Sequence, residues 1–224
     1  MTVLPPTAPS AATTSPAVPP PGRLVGLVLA GGSARRLGGG DKPLLEVGGR
    51  TMLARVIDRL RTEPVEAIAL SANGDPGRFA AFGLPVLDDG AFVGAGPLAG
   101  LLAGLDWAAG LGADALLSAP GDTPFLPAGL ARALAPPPSY ATTGDAADGR
   151  TQTHYLVALW PVMAREQLRA RLAAGESRQV GAFAAALGAR EVRFPAAGED
   201  AFLNVNTATE LAAARAVAAR TAAR

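Results

Sequence analysis

Residues Leu24 to Leu29 form an unbroken apolar run that feeds directly into Leu-Ala-Gly-Gly-Ser-Ala-Arg-Arg-Leu-Gly-Gly-Gly-Asp-Lys-Pro-Leu-Leu, from Leu29 to Leu45. The length and Val/Leu content of the run suit a buried parallel strand. The loop after it carries five glycines, two adjacent arginines and a lysine. Glycines let the backbone approach an anion, free N–H groups point inward, and the cations neutralise charge. The stretch from Gly31 to Pro43 is therefore built to hold phosphates, and a nucleotide is the expected ligand. Lys42 sharpens this reading, because it is the only lysine among 20 Lys+Arg. In a chain that otherwise uses arginine, a retained lysine marks a position needing a compact, rotatable ammonium.

The rest of the chain alternates in the manner of a βαβ protein. Thr51 is placed to cap a helix over Met52 to Arg61, in which Leu53, Val56, Ile57 and Leu60 share one face. A strand from Val65 to Ser71 ends in the turn cluster Ser-Ala-Asn-Gly-Asp-Pro-Gly. Val86-Leu-Asp-Asp89 precedes Gly94-Ala-Gly-Pro97, with Pro97 at the first position of a helix running to about Ala109. A strand from Ala113 to Ser118 runs into Ala119-Pro-Gly-Asp122-Thr-Pro124, and a helix is expected from Pro127 to about Ala135. The polar motifs fall after strands, where open α/β sheets bind ligands.

Beyond Pro136 to Pro138 the pattern changes. Strands near Tyr140 to Thr143 and from Thr153 to Trp160 point to a mixed-sheet second half, followed by helices over Val162 to Ala173 and Ser177 to Leu187. Gly175 and Gly188 stand beyond the ends of those helices. A strand from Glu191 to Phe194 and an alanine-rich helix from about Ala208 complete the chain.

Composition narrows the chemistry. The chain has 224 residues and reads as a single domain over residues 23–224, preceded by a disordered Pro/Ala-rich tail over residues 1–22. With no cysteine, disulfides, thiolate catalysis and zinc–thiolate sites are excluded, and a single histidine leaves little room for a histidine metal site or a Ser-His triad. A net charge of +1 without a Lys/Arg cluster gives no pull towards nucleic acid or anionic membrane. No apolar run approaches a transmembrane span and the tail lacks secretory-signal features, so the cytoplasm is the expected compartment.

The loop is neither a Walker A loop, since Pro43 follows Lys42, nor a G-x-G-x-x-G fingerprint. It resembles the L-A-G-G-x-x-x-R-[ML]-G-x-x-D-K-x-L-L signature of nucleotidylyltransferases, and among them the molybdenum cofactor guanylyltransferase (MobA) family. Leu29, Ala30, Gly31, Gly32, Arg36, Leu37, Gly38, Asp41, Lys42, Leu44 and Leu45 carry the match. Further matches are Asp122-Thr-Pro124, Gly96-Pro-Leu-Ala-Gly100 after Asp89, and Phe202-Leu-Asn204-Val-Asn206-Thr207 with Glu210-Leu211.

The resemblance implies a three-layer αβα, Rossmann-like nucleotide-diphospho-sugar transferase fold. It also implies transfer of GMP from GTP to the Mo-molybdopterin cofactor with release of pyrophosphate. Leu29, Ala30, Gly31, Gly32, Lys42, Ser71, Asp89 and Asp122 become nucleotide-binding residues; Arg36, Lys42 and Asp122 become catalytic; and Asp122 becomes the Mg²⁺ ligand. Read without the family, Asp122 is equally a turn-former or a carboxylate holding Mg²⁺ against phosphates. The family position matching Ser71 is asparagine, and Asn73 keeps an amide nearby.

His154, Arg178, Asn204 and Asn206 are the candidates for contact with the second substrate. Each has a plain structural alternative: a strand-start histidine, a solvated arginine, and asparagines that tie down the entry to a helix capped by Thr207. Asn204 and Asn206 alternate with Leu203 and Val205, so both amides are expected to point the same way. The family also implies molybdoenzymes or their chaperones as recipients. The competing readings are a molybdopterin cytidylyltransferase, a sugar-phosphate nucleotidylyltransferase and a non-catalytic nucleotide-binding module.

Overall fold

The computed structural model describes residues 22–31, 41–144, 151–195 and 201–222. The tail before Gly22, and with it Gly32 and Arg36, lie outside the described residues. Strand β1 (Leu24–Leu29) is buried at all six positions, as expected of a central strand covered on both faces. A small hairpin follows, β2 (Glu46–Val47) and β3 (Arg50–Thr51), turning on Gly48 and Gly49 at φ +59° and +72°. Helix α1 (Met52–Arg61) has the expected bounds, and the Thr51 hydroxyl accepts from the Ala54 N–H at 3.1 Å.

Strands β4 (Ile68–Ser71), β5 (Val86–Leu87) and β6 (Ala115–Pro120) flank helix α2 (Pro97–Gly110), which begins at Pro97 as read. Helix α3 is shorter than its sequence signals suggest, covering Leu130–Leu134 rather than starting at Pro127. Its start is set from a distance: the buried Glu63 carboxylate accepts from the Leu130 and Ala131 N–H groups at 3.1 and 3.0 Å. That arrangement caps the helix and gives a buried charge its partners.

The second half contains β7 (Ser139–Gly144), β8 (Thr151–Pro161), a 3-10 turn over Val162–Ala164, α4 (Arg165–Ala173), α5 (Val180–Ala186), β9 (Arg190–Phe194) and α6 (Ala208–Ala222). The sheet has seven strands in the order β5-β4-β1-β6-β8-β7-β9. Only β8 runs against the others, so the sheet is mainly parallel with a mixed second half.

Alternation along β1 sends Leu24 and Val28 to one face, where they pack with α1 and α3, and Val25, Leu27 and Leu29 to the other, under α2, α4 and α5. Each fully buried leucine in these layers contributes about 1.5–3 kcal/mol. A third, smaller cluster joins Val47 and Met52 to Val205, Ala214 and Ala218, fastening α6 to the hairpin. No helix among the described residues is long and apolar enough to cross a membrane.

Candidate active site

The parallel half of the sheet ends along one edge. Leu29 stands beside Ser71 on one side and Pro120 on the other, and Ser71 stands beside Leu87. Beyond the ladder, Ala30 N–H donates to the Ser71 carbonyl and Gly121 N–H to the Leu29 carbonyl, both at 2.9 Å. Gly121 fits a close approach: a Cβ there would lie 3.3 Å from both the Leu29 carbonyl oxygen and the Pro43 Cβ, tight enough that these neighbours would have to give by a few tenths of an ångström. This packing seats the 3-10 turn Lys42–Leu44 against the end of β6 and brings Lys42 to Asp122.

Lys42 Nζ forms an ion pair with Asp122 Oδ2 and donates to Asn206 Oδ1 at 2.6 Å. The two charged side chains are 13% and 14% exposed. Asp122 Oδ1 is buried and has no hydrogen-bond donor among the described residues. The Asn206 end is fixed by a capping box: the Glu210 carboxylate accepts from Asn206 and Thr207 N–H, and the Thr207 hydroxyl accepts from Glu210 N–H. The Asn206 backbone bond, with smaller help from Thr207 and Lys42, holds the Glu210 carboxyl below the usual glutamate range. Val205 N–H donates to the Asp122 carbonyl at 3.1 Å, tying the same segment to the end of β6.

An open cleft of about 1140 Å³ runs along this edge, lined among others by Leu29, Gly31, Ser71, Asp89, Asp122, His154, Arg178 and Asn204. Asp122 links Lys42 and Asn206 to it, while the Ala30 side chain faces the core. Asn204 and Asn206 are both exposed with the buried Val205 between them, in keeping with the expected alternation, although their neighbours differ. Asn204 lines the cleft, and Asn206 accepts from Lys42 at the entry to the capping box.

On the wall formed by β4 and β5, Ser71 is buried against α2. A Cβ on Gly100 would come within 2.1 Å of its Oγ, so α2 approaches this closely only with glycine there. Asn73 and Asp89 form a reciprocal pair, Nδ2 to Asp89 Oδ2 at 2.6 Å and Asp89 N–H to Asn73 Oδ1 at 3.0 Å. Asp88 is the turn-former of the two aspartates, accepting from Gly90 N–H at 2.7 Å.

Across the cleft, the His154 ring meets the Thr143 hydroxyl through Nε2 at 2.8 Å and stacks on Phe202 at 4.6 Å. Burial pushes its pKa down, favouring the neutral ring. Arg178 does not sit in a helix's first turn, since α5 begins at Val180 with Gln179 as its cap. From the preceding loop it donates to the Gly94 carbonyl at 3.0 Å, joining the two sides of the cleft mouth. Sequence reasoning passed over Arg78, which donates to the Asn73 carbonyl at 2.6 Å and pairs with Asp41 at 3.2 Å. Its only local signal was an arginine shortly after a turn cluster.

Residues 26–191 match the MobA-like NTP transferase domain. The chain belongs to this family. A protein of Acidiphilium cryptum (strain JF-5) named molybdenum cofactor guanylyltransferase is 52% identical over 190 residues, 85% of this chain and 93% of its own. One of the same name from Bradyrhizobium sp. (strain ORS 278) is 46% identical over 210 residues, 92% of this chain and 96% of its own. Among solved structures, molybdopterin-guanine dinucleotide biosynthesis protein A from Archaeoglobus fulgidus superposes with a TM-score of 0.64 at 17% identity, covering 88% of this chain and 99% of its own. At that identity the likeness establishes the fold, in agreement with the expected αβα architecture. As a MobA-like NTP transferase the chain is a nucleotidyltransferase, and its cleft lies at the strand edge where the sequence motifs converge.

Proposed function

We infer that this MobA-like enzyme transfers GMP from GTP to the Mo-molybdopterin cofactor, forming the guanine dinucleotide and releasing pyrophosphate in the cytoplasm. The observation that carries this reading is the convergence of Lys42, Asp122 and Asn206 beside one cleft, in a chain 52% identical to a protein named molybdenum cofactor guanylyltransferase.

The attacking group is a phosphate oxygen of the pterin substrate. It forms a bond to the α-phosphorus of GTP while the bond from that phosphorus to the bridging oxygen breaks, and pyrophosphate carries away the electron pair. A phosphate monoester has a second pKa of about 6, so at neutral pH it attacks as the anion without a general base. That suits a cleft whose single histidine is turned to Thr143 and Phe202.

The chemical burden is to bring two polyanions together and to stabilise the leaving group. The ammonium of Lys42 does the latter, aided by backbone N–H groups around Gly31 and Gly32 and by Arg36. Ser71 and Asp89 line the nucleoside side, and His154, Arg178 and Asn204 the side that receives the pterin. Mg²⁺ fits Asp122, whose buried Oδ1 lacks a donor among the described residues. One carboxylate with phosphate and water oxygens is a donor set this ion accepts, and when bound it supplies charge neutralisation to the phosphates.

The test is pyrophosphate release with Mg²⁺ and each of the four nucleoside triphosphates, with and without Mo-molybdopterin. Release with GTP alone, and only with the pterin present, is the expected result. Release with CTP moves the chain to a cytidylyl reading, and silence with all four overturns the assignment.

A further inference from the structure

Arg78 stands in the 3-10 turn Pro76–Phe82, outside the motifs that define the site. Its Nη2 donates to the Asn73 carbonyl at 2.6 Å, its Nε lies 3.2 Å from Asp41 Oδ2, and its guanidinium covers the Phe79 ring at 4.7 Å from the centroid. Phe79 is fully buried, so one side of the guanidinium rests on a fixed surface. Gly74, at φ +86°, makes room on another: a Cβ there would lie 3.1 Å from Arg78 Nη1.

The two polar partners belong to two different segments beside the cleft. Asp41 directly precedes Lys42, and its carbonyl accepts from Leu44 N–H at 3.0 Å, closing the turn that carries Lys42. Asn73 holds Asp89 through the reciprocal pair, and both line the cleft.

We propose that Arg78 is a positioning residue for the nucleotide: it ties the Lys42 turn to the Asn73–Asp89 wall and so sets the span between the phosphate and nucleoside ends of the cleft. The Arg78 Nε contact is a partly buried ion pair without hydrogen-bond geometry, so its contribution to folding is modest. A displacement of about 1 Å in the groups that hold a substrate can nonetheless cost about a hundredfold in rate. Arg78 reaches its partners with a planar fork, whereas a lysine is a point charge that serves one of them at a time. None of the partners named here lies on the wall that holds His154 and Arg178, so the effect belongs to the nucleotide and not to the second substrate.

The inference rests on the cleft binding a nucleoside triphosphate, and the experiment separates the two. Calorimetric titration of the full-length wild-type chain with each of the four triphosphates and Mg²⁺ identifies the nucleotide. Arg78→Ala is then titrated with that nucleotide and expected to bind it about tenfold more weakly. Its KM for Mo-molybdopterin and its melting temperature should stay close to the wild type's. Asp41→Asn should show a comparable loss, the double variant no more than the larger single loss, and Arg78→Lys a partial recovery. Unchanged nucleotide affinity in Arg78→Ala, strictly additive losses, or equal losses for both substrates overturns the proposal. A wild type that binds none of the four overturns both readings, whereas binding of a different base overturns only the guanine assignment.

Discussion

Replacing Lys42 by methionine keeps the length and apolar stem of the side chain and removes its charge, which separates folding from chemistry. In the folded protein the ammonium serves Asp122 Oδ2 and, at 2.6 Å, Asn206 Oδ1, with both charged side chains partly reached by solvent. Losing hydrogen bonds to a charged group costs about 1.5–3 kcal/mol, and solvent at an open cleft places this case at the lower end. For a domain of this size that is a fall in Tm of about 3–8 °C. Against a typical stability of about 5–15 kcal/mol, essentially all of the variant remains folded at 25 °C.

The loss of charge stabilisation on departing pyrophosphate is of the order of 2.7–4 kcal/mol, or about 100- to 1000-fold in kcat. Lys42→Arg provides the control: its fork can pair with Asp122 and restore Tm, but it does not reproduce a rotatable ammonium, so kcat should stay at least about tenfold low. The assays are thermal denaturation and pyrophosphate release at saturating GTP and Mo-molybdopterin. A Lys42→Met enzyme with kcat within about threefold of the wild type would refute the role assigned to this residue.

Glu210 gives a pH-dependent counterpart. Its folded pKa is depressed below the ordinary 4.5, so its stabilisation is complete above that value and is lost as pH falls through the lower folded value. Glu210→Gln should cost about 1 kcal/mol at pH 7 by weakening the capping box, and denaturation curves should show that gap closing as the pH is lowered below 4.5. His154 is likewise held below its ordinary 6.5, so stability should decline as pH falls from that value through the lower folded pKa, while the unfolded chain takes up the proton. His154→Phe should remove that slope in urea titrations between pH 7 and 5, and a slope unchanged by the substitution would assign it elsewhere. Gly100→Ala forces a methyl to within 2.1 Å of Ser71 Oγ and should destabilise by about 1–3 kcal/mol. Adding Ser71→Ala removes that contact and leaves two, at 3.0 Å to Leu29 Cδ2 and 3.2 Å to the residue 71 Cβ, so melting of the double variant should show partial recovery.

Elements that announce themselves locally were legible in the sequence. β1 is an unbroken apolar run, and α1 combines a capping threonine with apolar spacing on one face, so both appear where expected. The hairpin of β2 and β3 went unread because two-residue strands are too short for alternation to register, although Gly48-Gly49 is a turn signal. The start of α3 was misplaced because its cap comes from Glu63, which no local window contains. At the site, the motifs single out Lys42 and Asp122, but not that they pair with each other. Arg78 was invisible for the same reason as the α3 cap: its significance lies in Asp41 and Asn73, which only the folded sheet brings to it.

The way the site is assembled explains why distant segments carry its motifs. The end of β1, the end of β6 and the entry to α6 are registered mainly through backbone: Ala30 N–H to Ser71, Gly121 N–H to Leu29 and Val205 N–H to Asp122. These bonds are indifferent to side-chain identity, but the close approach they require is not, and Gly121 and Gly100 are its sequence trace. On that scaffold, residues separated by 164 positions, Lys42 and Asn206, meet at hydrogen-bond distance. The C-terminal helix is thereby part of the site, since its first turn supplies the Glu210 carboxylate that fixes Asn206 while its apolar face packs on the hairpin next to α1. A defect in α6 should therefore reach Lys42 through Asn206 even where the central sheet is intact.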